Sequence, residues 1–381
     1  MHFGARAAAA VAAVVIIAAV GINLAGSSRT PIGATPLASG AAAGNSTATP
    51  GPASATPDPK PSATPAKSPA ALTGTGLVVF EYTPFNGPAR PQLQTLDSTG
   101  LPVAFLPSDK GRQQTPVWSA DGARLAFTGS DSATPDGADR IWETDASAST
   151  PRLISTACTP PACVEEGSPS FSPDGARLAF VRTSGSDFQN PTSTVIAVRD
   201  LESGTVTELK TTRRPFVDGY VTHPRWSPDG SLLAYHFVTW SADQHVTDSS
   251  AFIVDTDGKN LRRLTPPDLS AGDAEWSPDG STILFASIPY RDWMFNVPGA
   301  STQHIYTIAR DGSGMSVLPV EPASTPTWAD DGATILYAAL RDQGRSFTLD
   351  LKAMDNDGSS VRSMAKFSDC CRWYPVQQPT P

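Results

Sequence analysis

The chain has 381 residues, a formal net charge of −9 and only 17% charged residues. No basic stripe exists to displace counterions from phosphates, which excludes nucleic acid as a partner. The 36 prolines argue against a helical protein, and no sustained helical periodicity follows the N-terminus.

Residues 1–26 are a different material from the rest. Arg6 precedes an uncharged apolar stretch over residues 7–26. That length spans a bilayer as a helix or serves as a long signal-peptide core. No cysteine follows it, which excludes a bacterial lipid anchor. Both readings export the remainder of the chain to the cell surface or periplasm.

Residues 27–75 consist mainly of Pro, Ala, Thr, Ser and Gly, as in "STATPGPASATPDPKPSATPAKSPAA". Such a segment buries too little apolar surface to offset chain entropy, so a disordered, extended stalk is expected. Asn45-Ser46-Thr47 is an N-glycan sequon, and the Thr-Pro density suits O-glycans. A stalk makes most sense with its end tethered. An anchor formed by residues 7–26 in the cytoplasmic membrane is therefore preferred to a cleaved signal.

Residues 76–381 are repetitive. They begin with three short strands, "LVVFEY" from Leu77, "LQTLD" from Leu93 and "PVAFL" from Pro102. Five gapless copies of one motif follow: "PVWSADGARLAF" at Pro116, "PSFSPDGARLAF" at Pro169, "PRWSPDGSLLAY" at Pro224, "AEWSPDGSTILF" at Ala274 and "PTWADDGATILY" at Pro326. The aromatic recurs at Trp118, Phe171, Trp226, Trp276 and Trp328, about fifty residues apart, the size of a propeller blade.

Each copy reads as strand, turn, strand. Proline at the Ser-Pro step ends the first strand because it offers no ladder donor. Asp-Gly supplies a tight turn. The run that follows ("RLAF", "LLAY", "TILF") is continuously apolar, so both of its faces should be buried, as in sheets stacked face to face. A second hairpin comes next, for example "AFIVDTDGKNLRRLT" from Ala251. Four strands per repeat make one antiparallel blade.

The ends complement each other. The three opening strands lack a first strand, and "CRWYPV" from Cys371 lacks the other three. Joined, they make a sixth blade that closes the ring and removes exposed edges. The expected fold is all-β: a six-bladed β-propeller of four-stranded antiparallel blades, closed by the C-terminal strand pairing with the N-terminal three.

Repeated "WSPDG" followed by "LAF/Y" resembles the TolB-type six-bladed propeller of bacterial envelope proteins, across nearly all of residues 76–381. The resemblance implies the fold and says little about activity. TolB proteins carry an additional N-terminal α/β domain where this chain has a stalk, so their envelope role is not carried over.

Four cysteines remain, Cys158, Cys163, Cys370 and Cys371. Export favours disulfides, and four cysteines allow three connectivities. Cys158 and Cys163 flank a Pro-Pro loop and can close locally, which would leave Cys370-Cys371 as a vicinal pair. Neither pair has zinc-ligand spacing.

Candidate chemistry is sparse. Asp174, Asp229 and Asp279 sit one per repeat in turns and read as turn acceptors rather than calcium ligands. No Gly-x-Ser-x-Gly elbow is present. His223 precedes a first strand, and His245 and His304 lie in the long connections of two neighbouring blades. All three belong to one face and form a candidate divalent-metal set. The same connections carry Trp240, Tyr290, Arg291, Trp293 and Phe295, residue types that anchor interfaces. Glu165, Tyr220 and Asp273 are expected nearer the channel mouth.

The expected function is therefore non-catalytic binding of an envelope protein, peptide or glycan through the loop face. No cofactor and a monomeric state are expected. The alternative is a metal-dependent lyase or hydrolase acting on polysaccharide or a small molecule at the propeller funnel.

Overall fold

The computed structural model describes residues 76–82, 91–97, 101–105, 111–130, 138–145, 151–155, 158–187, 191–209, 219–240, 246–266, 269–289, 304–320, 322–342, 347–367 and 375–379. The leader and stalk, residues 1–26 and 27–75, lie outside them. Among the described residues no helix is long and apolar enough to cross a membrane.

Among the described residues all of the elements are strands. In chain order they are β1 (Val78–Tyr82), β2 (Gln92–Leu96) and β3 (Pro102–Phe105), then β4 (Gln113–Trp118), β5 (Arg124–Gly129), β6 (Arg140–Asp145) and β7 (Arg152–Leu153). The next two groups are β8 (Glu165–Phe171), β9 (Arg177–Gly185), β10 (Pro191–Asp200) and β11 (Val206–Glu208), and β12 (Tyr220–Trp226), β13 (Leu232–Trp240), β14 (Val246–Asp255) and β15 (Arg262–Arg263). They are followed by β16 (Leu269–Trp276), β17 (Thr282–Pro289), β18 (His304–Ala309) and β19 (Ser316–Val317). The last are β20 (Ala323–Trp328), β21 (Thr334–Asp342), β22 (Phe347–Asp355), β23 (Arg362–Phe367) and β24 (Val376–Gln377).

These strands form six four-stranded antiparallel sheets, five of them sequential and one ordered β24-β1-β2-β3. The first strand of each sheet touches its counterparts in the neighbouring sheets, giving the closed series β4, β8, β12, β16, β20, β24 and back to β4. The sheets are thus the blades of a propeller, and these six strands line its channel.

Closure occurs as expected, through the end of the C-terminal segment. Val376 and Gln377 pair with Val79 and Val78. Leu125, the counterpart of Val78 in the next blade, faces Trp118. Gln377 therefore holds the slot that the other blades give to an aromatic. Cys371 and Trp373, at the start of that segment, fall outside the described residues. Gln377-Gln378-Pro379 takes the place of Trp-Ser-Pro, and Nε2 of Gln378 donates to the Gly122 carbonyl at 2.6 Å.

The core is six separate layers, one between each pair of blades. Strand alternation explains the unbroken apolar runs. Leu125 and Phe127 face the first blade while Ala126 faces the third. Leu233 and Tyr235 face backwards while Ala234 faces forwards. The second strand of every blade is buried on both sides, as its composition predicts.

The repeated turn connects blades as well as strands. Ser227 Oγ donates to Asp229 Oδ1 at 2.6 Å, and the Ser231 amide donates to the same oxygen at 3.0 Å. Ser172/Asp174 and Ser277/Asp279 repeat this arrangement. The aspartates are turn acceptors, and these bonds hold the Asp174 and Asp279 carboxyls below their usual range. A Cβ on Gly230 would touch Pro173, and one on Gly332 would touch Pro278. Where the preceding blade has a Ser-Pro step, the turn's glycine thus lies against that proline. The arginine that opens β9, Arg177, lies over the Trp226 ring at 4.6 Å, and Arg124 lies over Phe171 at 4.8 Å. Arg177→Ala is expected to cost about 1 kcal/mol in urea unfolding. That loss should vanish in a Trp226→Leu background, and an unchanged loss there would assign it to something other than the ring.

Candidate functional site

Five channel strands contain the same irregularity. Pairing shifts register between Gln114 and Val117, Gly167 and Ser170, Thr222 and Arg225, Gly272 and Glu275, and Ser324 and Thr327. At each bulge a non-glycine residue takes positive φ: Thr115 (+49°), Ser168 (+52°), His223 (+50°), Asp273 (+58°) and Thr325 (+45°). All five stand three positions before the blade's aromatic. This is the left-handed region, costly for branched side chains and held only where the surroundings enforce it.

The enforcement is visible. The Thr115 amide donates to Glu81 Oε1 at 2.6 Å, and the Ser168 amide donates to Thr128 Oγ1 at 2.8 Å. Each acceptor stands on the second strand of the preceding blade. The next position is proline in four bulges, Pro116, Pro169, Pro224 and Pro326, which removes a donor that the channel wall would have to satisfy. The exception is Ala274, whose amide donates to Nε2 of buried His236 at 3.2 Å. Burial, reinforced by the Arg225 charge, pulls the His236 pKa down to about 3, so the ring stays neutral and can accept. Sequence reasoning missed His236. The one available signal was alanine where the other copies have proline.

A cleft opens on the channel side, lined by His223 and Arg225 of β12, Asp273 and Glu275 of β16, Thr325 and Thr327 of β20, and Pro375. Nε of Arg225 donates to Oε1 of Glu275 at 2.5 Å, and Nη1 donates to the Pro224 carbonyl at 3.0 Å. Asp273 is 9% exposed and Thr325 2%. Oδ1 of Asp273 and Oγ1 of Thr325 are buried without a hydrogen-bond partner among the described residues. Burial raises the Asp273 carboxyl to about 7; Arg225 opposes the shift and Glu275 adds to it. Nδ1 of His223 meets Oγ1 of Thr222 at 2.7 Å, and burial holds this imidazole well below its usual range.

The other expected site residues are dispersed. Glu165 opens β8, its carboxyl raised to about 7 by burial and then by Asp139. Asp139 accepts from Arg112 and Gln114. Tyr220 opens β12 and is buried, which keeps its hydroxyl protonated. Glu166 is fully buried and bonds Arg199 at 2.8 Å, a structural ion pair. Trp240 ends β13, its backbone opposite Val246. Tyr290, Arg291, Trp293 and Phe295 lie outside the described residues.

Among the candidate metal ligands, His223 lies inside β12 rather than in a connection before it, because the bulge lengthens the strand. His304 opens β18, and His245 is not among the described residues. The described residues bring three ligand-type side chains together only at Cys158, Cys163 and Glu166. There the two sulfurs of Cys158 and Cys163 are spent in a disulfide. Cys370 and Cys371 lie outside the described residues.

The TolB beta propeller domain family matches residues 166–375, more than half of the chain. Among solved structures, TolB from Acinetobacter baumannii is similar at 20% identity, covering 81% of this chain and 69% of that one with a TM-score of 0.60. A TolB-type protein from Agrobacterium tumefaciens is similar at 19% identity, covering 78% and 91% with a TM-score of 0.51. Among curated proteins, the uncharacterized peptidase YuxL of Bacillus subtilis (strain 168) is 31% identical over 124 residues. That stretch is 32% of this chain and 17% of that protein. At these identities the solved structures speak to the fold alone.

Proposed function

The chain belongs to the TolB beta propeller domain family, and from that premise we propose that it is an extracytoplasmic, non-catalytic binding propeller for a protein, peptide or glycan of the cell envelope. The observation that supports this most is the ring of strained bulges. Five left-handed residues line one channel, and three of them, His223, Asp273 and Thr325, bring buried polar groups to the same cleft. Strain and unsatisfied polarity concentrate where a ligand completes the wall. Export is supported by the apolar leader at residues 7–26 and by the Cys158–Cys163 disulfide. The aromatic set Trp240, Tyr290, Arg291, Trp293 and Phe295 would extend the contact area beyond the channel, with Glu165 contributing at its edge.

The test uses the full chain, immobilised, against envelope extract and a glycan array, alongside a Trp240→Ala/Trp293→Ala variant. Specific retention that falls at least tenfold in the variant is expected. If nothing is retained, or if polysaccharide is cleaved in a metal-dependent manner, the binding reading fails and the lyase or hydrolase reading replaces it.

A further inference from the structure

The cleft between β12, β16 and β20 holds one buried carboxylate with no counter-charge committed to it. Arg225 is the natural partner, yet its Nε is bound to Glu275 and its Nη1 to the Pro224 carbonyl. Oδ1 of Asp273 and Oγ1 of Thr325 both line the cleft, and no donor among the described residues reaches either. The remaining titratable or charged groups facing Asp273 are His223 and Arg225 from β12, His236 from β13, and Glu275 on its own strand. Both histidines are neutral, and Arg225 and Glu275 offset each other. The space accommodates about one water-sized group, too little for a sugar ring.

We propose that this cleft is a subsite for one protonated primary amine, from a lysine side chain or a peptide amino terminus, held by Asp273 and Thr325. It rests on the binding reading above and specifies the chemistry of the ligand. An ammonium group brings three donors and one positive charge, which matches two unused acceptors and one unpaired carboxylate. Because the carboxyl titrates near 7, binding an amine releases its proton, and affinity rises as the pH passes through that value.

Three peptides serve as probes for calorimetry on the full chain: N-acetyl-Gly-Lys-Gly-amide, Gly-Gly-Gly-amide with a free amino terminus, and N-acetyl-Gly-norleucine-Gly-amide. At least one amine is expected to bind while the norleucine peptide does not. The lysine probe should bind about tenfold tighter at pH 8 than at pH 6, and the amino-terminal probe should gain about half as much because its own amine deprotonates near 8. These two profiles separate the sources. Asp273→Asn should abolish the pH dependence and weaken binding at least tenfold, and Thr325→Val should weaken it severalfold. The proposal is overturned if no amine binds, if norleucine binds equally, or if Asp273→Asn leaves lysine binding unchanged. If Asp273→Asn still retains an envelope partner while no amine binds, the subsite falls and the binding reading stands. Amine binding without any retained partner or glycan gives the reverse.

Discussion

Ending the chain after Tyr374 is expected to cost at least about 5 kcal/mol, a large part of the 5–15 kcal/mol that stabilises a typical domain. The deleted segment supplies the β24 pairing with Val78 and Val79. It also supplies the Gln378 amide bond to the Leu77 carbonyl, the Gln378 side-chain bond to Gly122, and the Gln377 acceptor for the Asp330 amide. Each such bond is worth about 1 kcal/mol net, and several vanish together. The loss does not stop there. Without β24 the first blade presents β1 as an open edge, and the layer holding Val78, Phe80, Leu336 and Leu351 loses its cover toward the channel. Thermal unfolding together with size-exclusion chromatography provides the check. The truncated chain should melt far lower and associate through its free edge, whereas Gln378→Ala should lose only about 1 kcal/mol and remain monodisperse. An unchanged melting temperature after truncation would rule out ring closure by β24.

Asp273→Asn should have the opposite sign and stabilise the protein above neutral pH. The folded state holds this proton up to about pH 7, while the unfolded chain releases it near 3.8. Between those values the folded state binds more protons, so the carboxyl's contribution declines as pH rises from about 4 and the full cost is present above 7. A separation of about three pH units corresponds to roughly 4 kcal/mol at most, and relaxation of the cleft reduces it, so a gain of about 2–4 kcal/mol at pH 8 is expected. Near pH 4 the variant and the parent should coincide. Asparagine also tolerates the left-handed backbone at φ +58°, which removes a reason for the substitution to fail. Urea unfolding at pH 4, 6 and 8 measures the difference, and the other titrating groups cancel in it. Equal stability at all three values would mean that the carboxyl is solvated. A residue that lowers stability where it stands is most simply retained for what it binds.

The two experiments address different links of one chain of cause. Closure fixes the channel strands against each other, and only a closed ring can hold five left-handed residues in place. The strained ring in turn brings Asp273 and Thr325, on different blades, to one cleft. Failure of closure would remove the cleft, whereas loss of the Asp273 charge would leave the ring intact.

The architecture is legible in the sequence, because its signals are local and repeated. The Asp-Gly turns at Asp229 and Asp279, the aromatics before them, and the two-sided apolar runs after them each follow from backbone geometry and burial within one blade. The sequence also places the three opening strands of the repeat region and its last strand in one blade, as the sheet order bears out. What it could not give was the register of closure. Trp373 carries the familiar aromatic, yet Gln377 stands opposite Val78, with the next residue, Gln378, bonded to Gly122 of the neighbouring blade. The cleft was equally hidden. Thr115, Ser168, His223, Asp273 and Thr325 look like ordinary strand residues, and their shared backbone conformation appears only when each bulge is pressed against the preceding blade. Asp273 and Thr325 lie in one cleft because the ring brings β16 beside β20, and its burial and raised proton affinity come from neighbours on other strands, a property of the assembled channel that no single repeat encodes.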